Sequence, residues 1–167
     1  MRVSCVQLDM KLGDAQYNFA HAEAMIRTAV DRDHPDTVVL PETWNTGFFP
    51  QDLAPCADQD GKAVKALCSS LAKELNINIV AGSVANHRAD GYYNTAYVFD
   101  RSGEVIAEYD KTHLFTPSGE HNFFRLGSRT CRFTLEGIPC GLIICYDIRF
   151  PELIRSLTVQ GVDLLFV

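Results

Sequence analysis

No basic stripe or Lys/Arg cluster runs through this sequence, and a formal net charge of −6 at pH 7 leaves no electrostatic footprint for nucleic acid. No apolar run approaches the roughly 20 residues that cross a bilayer. The opening Met1-Arg2-Val3-Ser4-Cys5-Val6 lacks a charged region followed by an apolar stretch and a cleavage site, so the expectation is a cytoplasmic protein with no membrane partner. None of the six cysteines (Cys5, Cys56, Cys68, Cys131, Cys140, Cys145) forms a C-x-x-C pair, and no Cys/His spacing matches a zinc site. Most should be reduced core residues. Internal repeats, low-complexity segments and linker-like stretches are also missing. A hydrophobic fraction of 47% with 22% charged residues is that of a globular chain, and 167 residues bury one sizeable core, so one domain over residues 1–167 is expected.

What is present is an alternation of strands and amphipathic helices. Residues 2–9 read as a strand. Phe19, Ala22, Ile26, Ala29 and Val30 then fall on one helical face. Residues 37–40 make a short buried strand closed by Pro41. After a loop rich in Pro, Gly and Asn, Val64, Leu67, Cys68, Leu71 and Leu75 mark a second helix. Residues 77–85, 92–100 and 104–110 read as a three-stranded meander, the last two joined at Arg101-Ser102-Gly103. Strands follow at residues 131–135 and 139–145, then a helix with Pro151 at its first position and Gly161 at its end, and a last strand at residues 163–167. The pattern predicts an α/β domain in which the meander adds antiparallel pairs.

Three reactive residues occupy equivalent places in this layout. Glu42 follows Thr37-Val38-Val39-Leu40, Lys111 follows the strand at 104–110, and Cys145 ends Leu142-Ile143-Ile144. Ligands of open α/β sheets bind beyond the carboxyl ends of strands, so the three can converge on one pocket. Alone, each has a bland reading: a strand-end Glu or Lys is usually solvated, and a Cys after apolar residues is usually core. On a regular strand Cys140 and Cys145 face opposite layers, so they make no redox pair. Cys145 enters a tight strand-to-helix passage, which can expose a nucleophile and offer the next backbone N–H, that of Tyr146, to an oxyanion.

Other residues carry competing readings. His113 lies two residues from Lys111 and His121 beside Glu120, which leaves open a Cys–His pair of the papain type; structural hydrogen bonding in the pocket wall is the bland alternative. Tyr92, Tyr93, Tyr97 and Phe99 read as core and cross-strand packing. Asp147, Arg149 and Glu152 read as pairing with each other around a helix start rather than touching substrate.

Three stretches carry a family resemblance: Val38-Val39-Leu40-Pro41-Glu42, Tyr109-Asp110-Lys111-Thr112-His113-Leu114-Phe115, and GLIICYDIRFPE at residues 141–152. With them, the chain resembles the nitrilase superfamily of carbon–nitrogen hydrolases, collinearly from residue 2 to residue 167. The resemblance implies an α-β-β-α sandwich. It also implies catalysis by Glu42 as general base, Lys111 as cationic stabiliser and Cys145 as nucleophile, with Glu120 matching a second glutamate. Lys111 and the Tyr146 N–H would form the oxyanion site; no substrate-binding residue is assigned and no metal or cofactor is needed. A neighbouring base or cation would activate Cys145, which should then alkylate faster than the other five cysteines.

CYDIRFPE resembles the branch holding omega-amidases and other 2-oxo-acid amide hydrolases. That implies a small carboxylate-bearing amide as substrate and a homo-oligomer in the full-length protein. N-carbamoyl amino acid hydrolysis and nitrile hydrolysis are the alternatives. Members of the family continue past the strand that follows the nucleophile helix, so the resemblance implies that residues 1–167 are the N-terminal part of the domain. A catalytically inactive fragment or an interaction module is therefore the reading from another class.

Overall fold

The computed structural model describes residues 1–48 and 50–167. Its elements run β1 (Val3–Cys5), α1 (Ala15–Asp33), β2 (Thr37–Val39), β3 (Asp58–Gln59), α2 (Lys62–Leu75), β4 (Asn78–Arg88), β5 (Gly91–Phe99), β6 (Val105–Asp110), β7 (Cys131–Leu135), β8 (Ile138–Leu142), α3 (Pro151–Val159) and β9 (Leu164–Phe166). Short 3₁₀ turns occupy Thr116–Ser118, Glu120–Asn122 and Cys145–Arg149. Both long helices start on a side-chain cap. Asp14 Oδ1 accepts the Tyr17 N–H at 3.0 Å, and the Asp58 carboxylate accepts the Ala63 and Val64 N–H groups at 2.9 and 2.8 Å.

Two sheets form. The first has six strands in the order β1-β2-β4-β5-β6, with β3 paired to the far end of β4. β1, β2 and β4 are parallel, and β5 and β6 add antiparallel pairs. The second sheet is β7-β8-β9. Strand alternation sorts the side chains between layers. Val38, Ile79, Ala81, Tyr97 and Phe99 pack with Ile26 of α1 and with Val64, Cys68 and Leu71 of α2. Their neighbours Val80, Ala96 and Val98 turn the other way and meet Cys131, Leu135, Cys140, Leu142 and Phe166 between the sheets. On the outer face of the second sheet, Gly141 lets α3 approach, since an added Cβ would sit 3.3 Å from Leu157. The layers are therefore helix, sheet, sheet, helix: the α-β-β-α sandwich.

The structure corrects three local readings. β1 stops at Cys5 instead of residue 9, and farther on the chain is held to α1, where the Asn18 side chain bonds both the N–H and the carbonyl of Lys11 at 2.8 Å. β8 ends at Leu142, not at Cys145. The Ile144 N–H is taken by Asp147 Oδ2 at 3.0 Å, which closes the ladder and turns the chain. Asp147 does not pair with Arg149 or Glu152, both of which are exposed; its partners are described below. No described helix is long and apolar enough to cross a membrane.

Candidate active site

β2, β4 and β6 run in the same direction, so their carboxyl ends share one edge of the first sheet. Lys111 follows β6 at that edge and is 1% exposed. Its ammonium lies between two carboxylates: Nζ is 2.7 Å from Glu42 Oε1, and 3.1 and 2.9 Å from Glu120 Oε1 and Oε2. Burial pulls the Lys111 ammonium downward, but the charge and hydrogen bonds of Glu42 and Glu120 outweigh it and hold the group above its ordinary value.

Glu42 sits in a turn anchored to a bulge in β4. The β4–β5 register shifts between Val80 and Ser83, and Gly82 there has a φ of 54°. A Cβ at Gly82 would lie 2.0 Å from the Pro41 carbonyl oxygen and 2.4 Å from that of Leu40, so only glycine lets the Glu42 loop lie this close. The Ser83 N–H donates to the Pro41 carbonyl at 3.1 Å, Ser83 Oγ accepts the Thr43 N–H at 3.0 Å, and Trp44 Nε1 donates to the Ala81 carbonyl at 2.8 Å.

Glu120 is 1% exposed, and both its oxygens are occupied. Oε1 accepts from Lys111 Nζ and from Asn94 Nδ2 at 3.0 Å; Oε2 accepts from Lys111 Nζ and from the Phe115 N–H at 2.5 Å. Glu42 differs. Oε1 accepts both Lys111 Nζ and Asn94 Nδ2, the latter at 2.9 Å, and the Cys145 thiol is a further hydrogen-bonding neighbour of this carboxylate.

Cys145 begins the 3₁₀ turn with a φ of 45°, a left-handed backbone that residues other than glycine rarely adopt. It is solvent-exposed, and it lines a cavity of about 130 Å³ with Glu42, Val39, Val80 and Ile144. Tyr146, next along, is within the first turn, where helical N–H groups have no intrahelical partner. Partial burial pushes the Cys145 thiol up, the Glu42 charge adds to this, and Lys111 opposes it. A thiol raised in this way needs a neighbouring group to take its proton before it can react.

Asp147 ties this turn to the segment after Lys111. It is fully buried; Oδ2 accepts from Tyr109 Oη at 2.8 Å and the Ile144 N–H, and Oδ1 accepts from Thr112 Oγ1 at 3.0 Å and the His113 N–H at 2.9 Å. His113 Nδ1 also lies 2.9 Å from Oδ1, and the ring stacks on Phe150 at 3.7 Å between centroids. His113 is thus engaged in structural hydrogen bonding, and the charged groups that shift the Cys145 thiol are Glu42, Lys111 and Glu120. His121 is exposed. Tyr97 and Phe99 are core, Tyr92 stacks on His87, and Tyr93 Oη donates to Asp90 at 2.7 Å.

Sequence reasoning missed Asn94 and Gly82. Asn94 had one visible signal, a polar amide inside the strand Tyr92-Tyr93-Asn94-Thr95-Ala96-Tyr97, where Asn is disfavoured. Gly82 is likewise a glycine inside a strand pattern, a mark of a bulge or a close backbone approach.

Comparison with known proteins bears on the family and the fold. The chain is 41% identical over 165 residues to the 2-oxoglutaramate amidase of Bacillus subtilis (strain 168), covering 99% of this chain and 63% of that protein. It is 32% identical over 164 residues to the chloroplastic omega-amidase of Arabidopsis thaliana, covering 91% of this chain and 44% of that one. The crystal structure of Saccharomyces cerevisiae Nit3, a member of branch 10 of the nitrilase superfamily, superposes with a TM-score of 0.89 at 27% identity, over 99% of this chain and 62% of its own. The chain thus spans less than two thirds of these relatives. The carbon-nitrogen hydrolase family model matches residues 2–167, and with that match this chain belongs to the carbon–nitrogen hydrolase family.

Proposed function

We propose that the protein hydrolyses a small carboxylate-bearing amide, of the kind omega-amidases take, through a cysteine thioester with release of ammonia. The observation that carries this is Lys111, a buried ammonium held between Glu42 and Glu120 at the edge of the cavity that Cys145 and Glu42 line. The names of the Bacillus and Arabidopsis relatives supply the substrate class.

The reaction uses each group once per half. Glu42 takes the thiol proton as Cys145 Sγ bonds to the amide carbon, and the carbonyl electron pair moves onto oxygen. Lys111 and the Tyr146 N–H stabilise that oxyanion; losing one such donor costs about 3 kcal/mol. Collapse re-forms the carbonyl and breaks the C–N bond, with Glu42 returning the proton to departing ammonia. Water then adds to the thioester while Glu42 again takes a proton. The C–S bond breaks, the acid leaves and the thiol is restored. Glu120, with both oxygens already engaged, holds Lys111 in place.

Ammonia release from 2-oxoglutaramate, from an N-carbamoyl amino acid and from a small nitrile tests the reading. The 2-oxo-acid amide should be turned over fastest, and Cys145→Ala should abolish the reaction. A preference for the carbamoyl compound or the nitrile moves the protein to another branch of the family. No turnover of any of them, with no acyl adduct on Cys145 by mass spectrometry, favours an interaction module.

A further inference from the structure

We propose that Asn94 is the positioning residue of this site: its amide holds Glu42 through Oε1, with Oε2 left for the Cys145 thiol. The inference rests on the reading of Glu42 as the base. Asn94 is 1% exposed on β5, and its Nδ2 donates to Glu42 Oε1 at 2.9 Å and to Glu120 Oε1 at 3.0 Å. The two amide hydrogens are thus divided between the two carboxylates. Asn94 Oδ1 is buried with no hydrogen-bond partner among the described residues. The alternative amide orientation would aim that oxygen at two carboxylates, so the unpaired carbonyl accompanies the only arrangement that serves both acids. Its main chain contributes as well, since the Asn94 carbonyl accepts the Lys111 N–H at 2.9 Å.

Charge explains why such a donor is needed. The groups facing Glu42 are Lys111 after β6, Glu120 in its 3₁₀ turn and Cys145 in the turn after β8. One ammonium between two carboxylates leaves a net negative cluster in which the two acids repel each other. Hydrogen bonds donated to both carboxylates offset that repulsion. Glu120 would survive losing Asn94 better than Glu42, because it keeps Lys111 at both oxygens and the Phe115 N–H. Glu42 would keep Lys111 alone.

The test reads the thiol–base pair directly, through the rate at which iodoacetamide labels Cys145 between about pH 4 and 9, followed by peptide mapping. Asn94→Asp keeps the shape and replaces the donor; Asn94→Ala removes it and serves if the acidic variant does not fold. In either, the acid limb of the labelling profile should move up by about one pH unit, and the rate at pH 7 should fall about tenfold. In a Glu42→Gln background, Asn94→Ala should cost nothing further. A folded Asn94 variant whose limb is unmoved, or an additional full loss in the Glu42→Gln background, overturns the inference. If Glu42→Gln alone leaves labelling and ammonia release unchanged, the reading of Glu42 as base has failed. If Glu42→Gln slows both and the Asn94 variants slow neither, only the role of Asn94 has failed.

Discussion

At the scale of single residues, the site separates two carboxylates that look alike in composition. Glu120 accepts four hydrogen bonds from three donors over its two oxygens, whereas Glu42 Oε1 accepts from Lys111 and Asn94 and the Cys145 thiol is its remaining partner. A saturated carboxylate is a poor base, which favours Glu42 as the proton acceptor of the proposed reaction. Cys145 adds a sign that can be tested. As a mere negative neighbour, Glu42 raises the thiol, and Glu42→Gln would free more thiolate and speed labelling. As the proton acceptor, its loss slows labelling despite the easier ionisation. We expect Glu42→Gln to slow iodoacetamide uptake by Cys145 at neutral pH by roughly 10- to 100-fold, the usual worth of a positioned base. Cys5, the other exposed thiol, should label at an unchanged rate and serves as the internal standard.

At the scale of elements, the β4 bulge fixes where Glu42 stands and the Asp147 turn fixes where Cys145 stands. Gly82 brings β4 against the Pro41 carbonyl, and Ser83 then pins the Glu42 loop from both sides. Gly82→Ala meets two penalties: a left-handed φ, about 1–2 kcal/mol for an L residue, and a Cβ inside the contact distance of backbone atoms that cannot rotate away. The loop must shift, and a displacement near 1 Å at a reacting group costs about 100-fold. We therefore expect Gly82→Ala to lower kcat by about that factor, with KM much less changed and a modest fall in Tm. Loss of Tm alone, with kcat intact, would mean that the bulge serves folding rather than the site.

At the scale of the whole molecule, the end of the sandwich remote from the site is held by charge. Arg101, in the turn between β5 and β6, bonds Asp36 Oδ1 before β2 at 2.8 Å and Glu136 Oε1 in the β7–β8 turn at 2.6 Å. Asn78 Nδ2 also donates to Glu136 at 2.7 Å, so this cluster joins the two sheets. Arg101 holds the Glu136 carboxyl below its ordinary 4.5; the Arg2 N–H, then Arg101, hold Asp36 below 3.8. Carboxyls depressed in the folded state contribute stability above their unfolded values, and lose it as pH falls through the folded ones. The unfolding temperature of the wild type should therefore fall between about pH 5 and 3, and Arg101→Met should flatten that fall. These groups are largely solvent-exposed, so the difference should be only a few degrees and shrink in high salt. An equal decline in both proteins would remove Arg101 from the account.

Much of this was legible in the sequence because it is local. The apolar stripes of α1 and α2, the alternation along the meander and Pro151 at the start of α3 follow from helix and strand periodicity. Placing Glu42, Lys111 and Cys145 just beyond strands was enough to bring them to one end of the sandwich, and the sequence motifs were enough for the family. The end of β8 was not legible, because it is set by a side chain, Asp147, competing for a backbone group. Nor was the protonation of Cys145, which depends on how burial and Glu42 weigh against Lys111. Asn94 lies 52 residues from Glu42 in sequence, and only the pairing of β5 with β4 and β6 places its amide between the two acids. Sequence patterns determine which residues line a strand or helix; which hydrogen bonds those residues can still offer depends on neighbours that only the folded chain brings together.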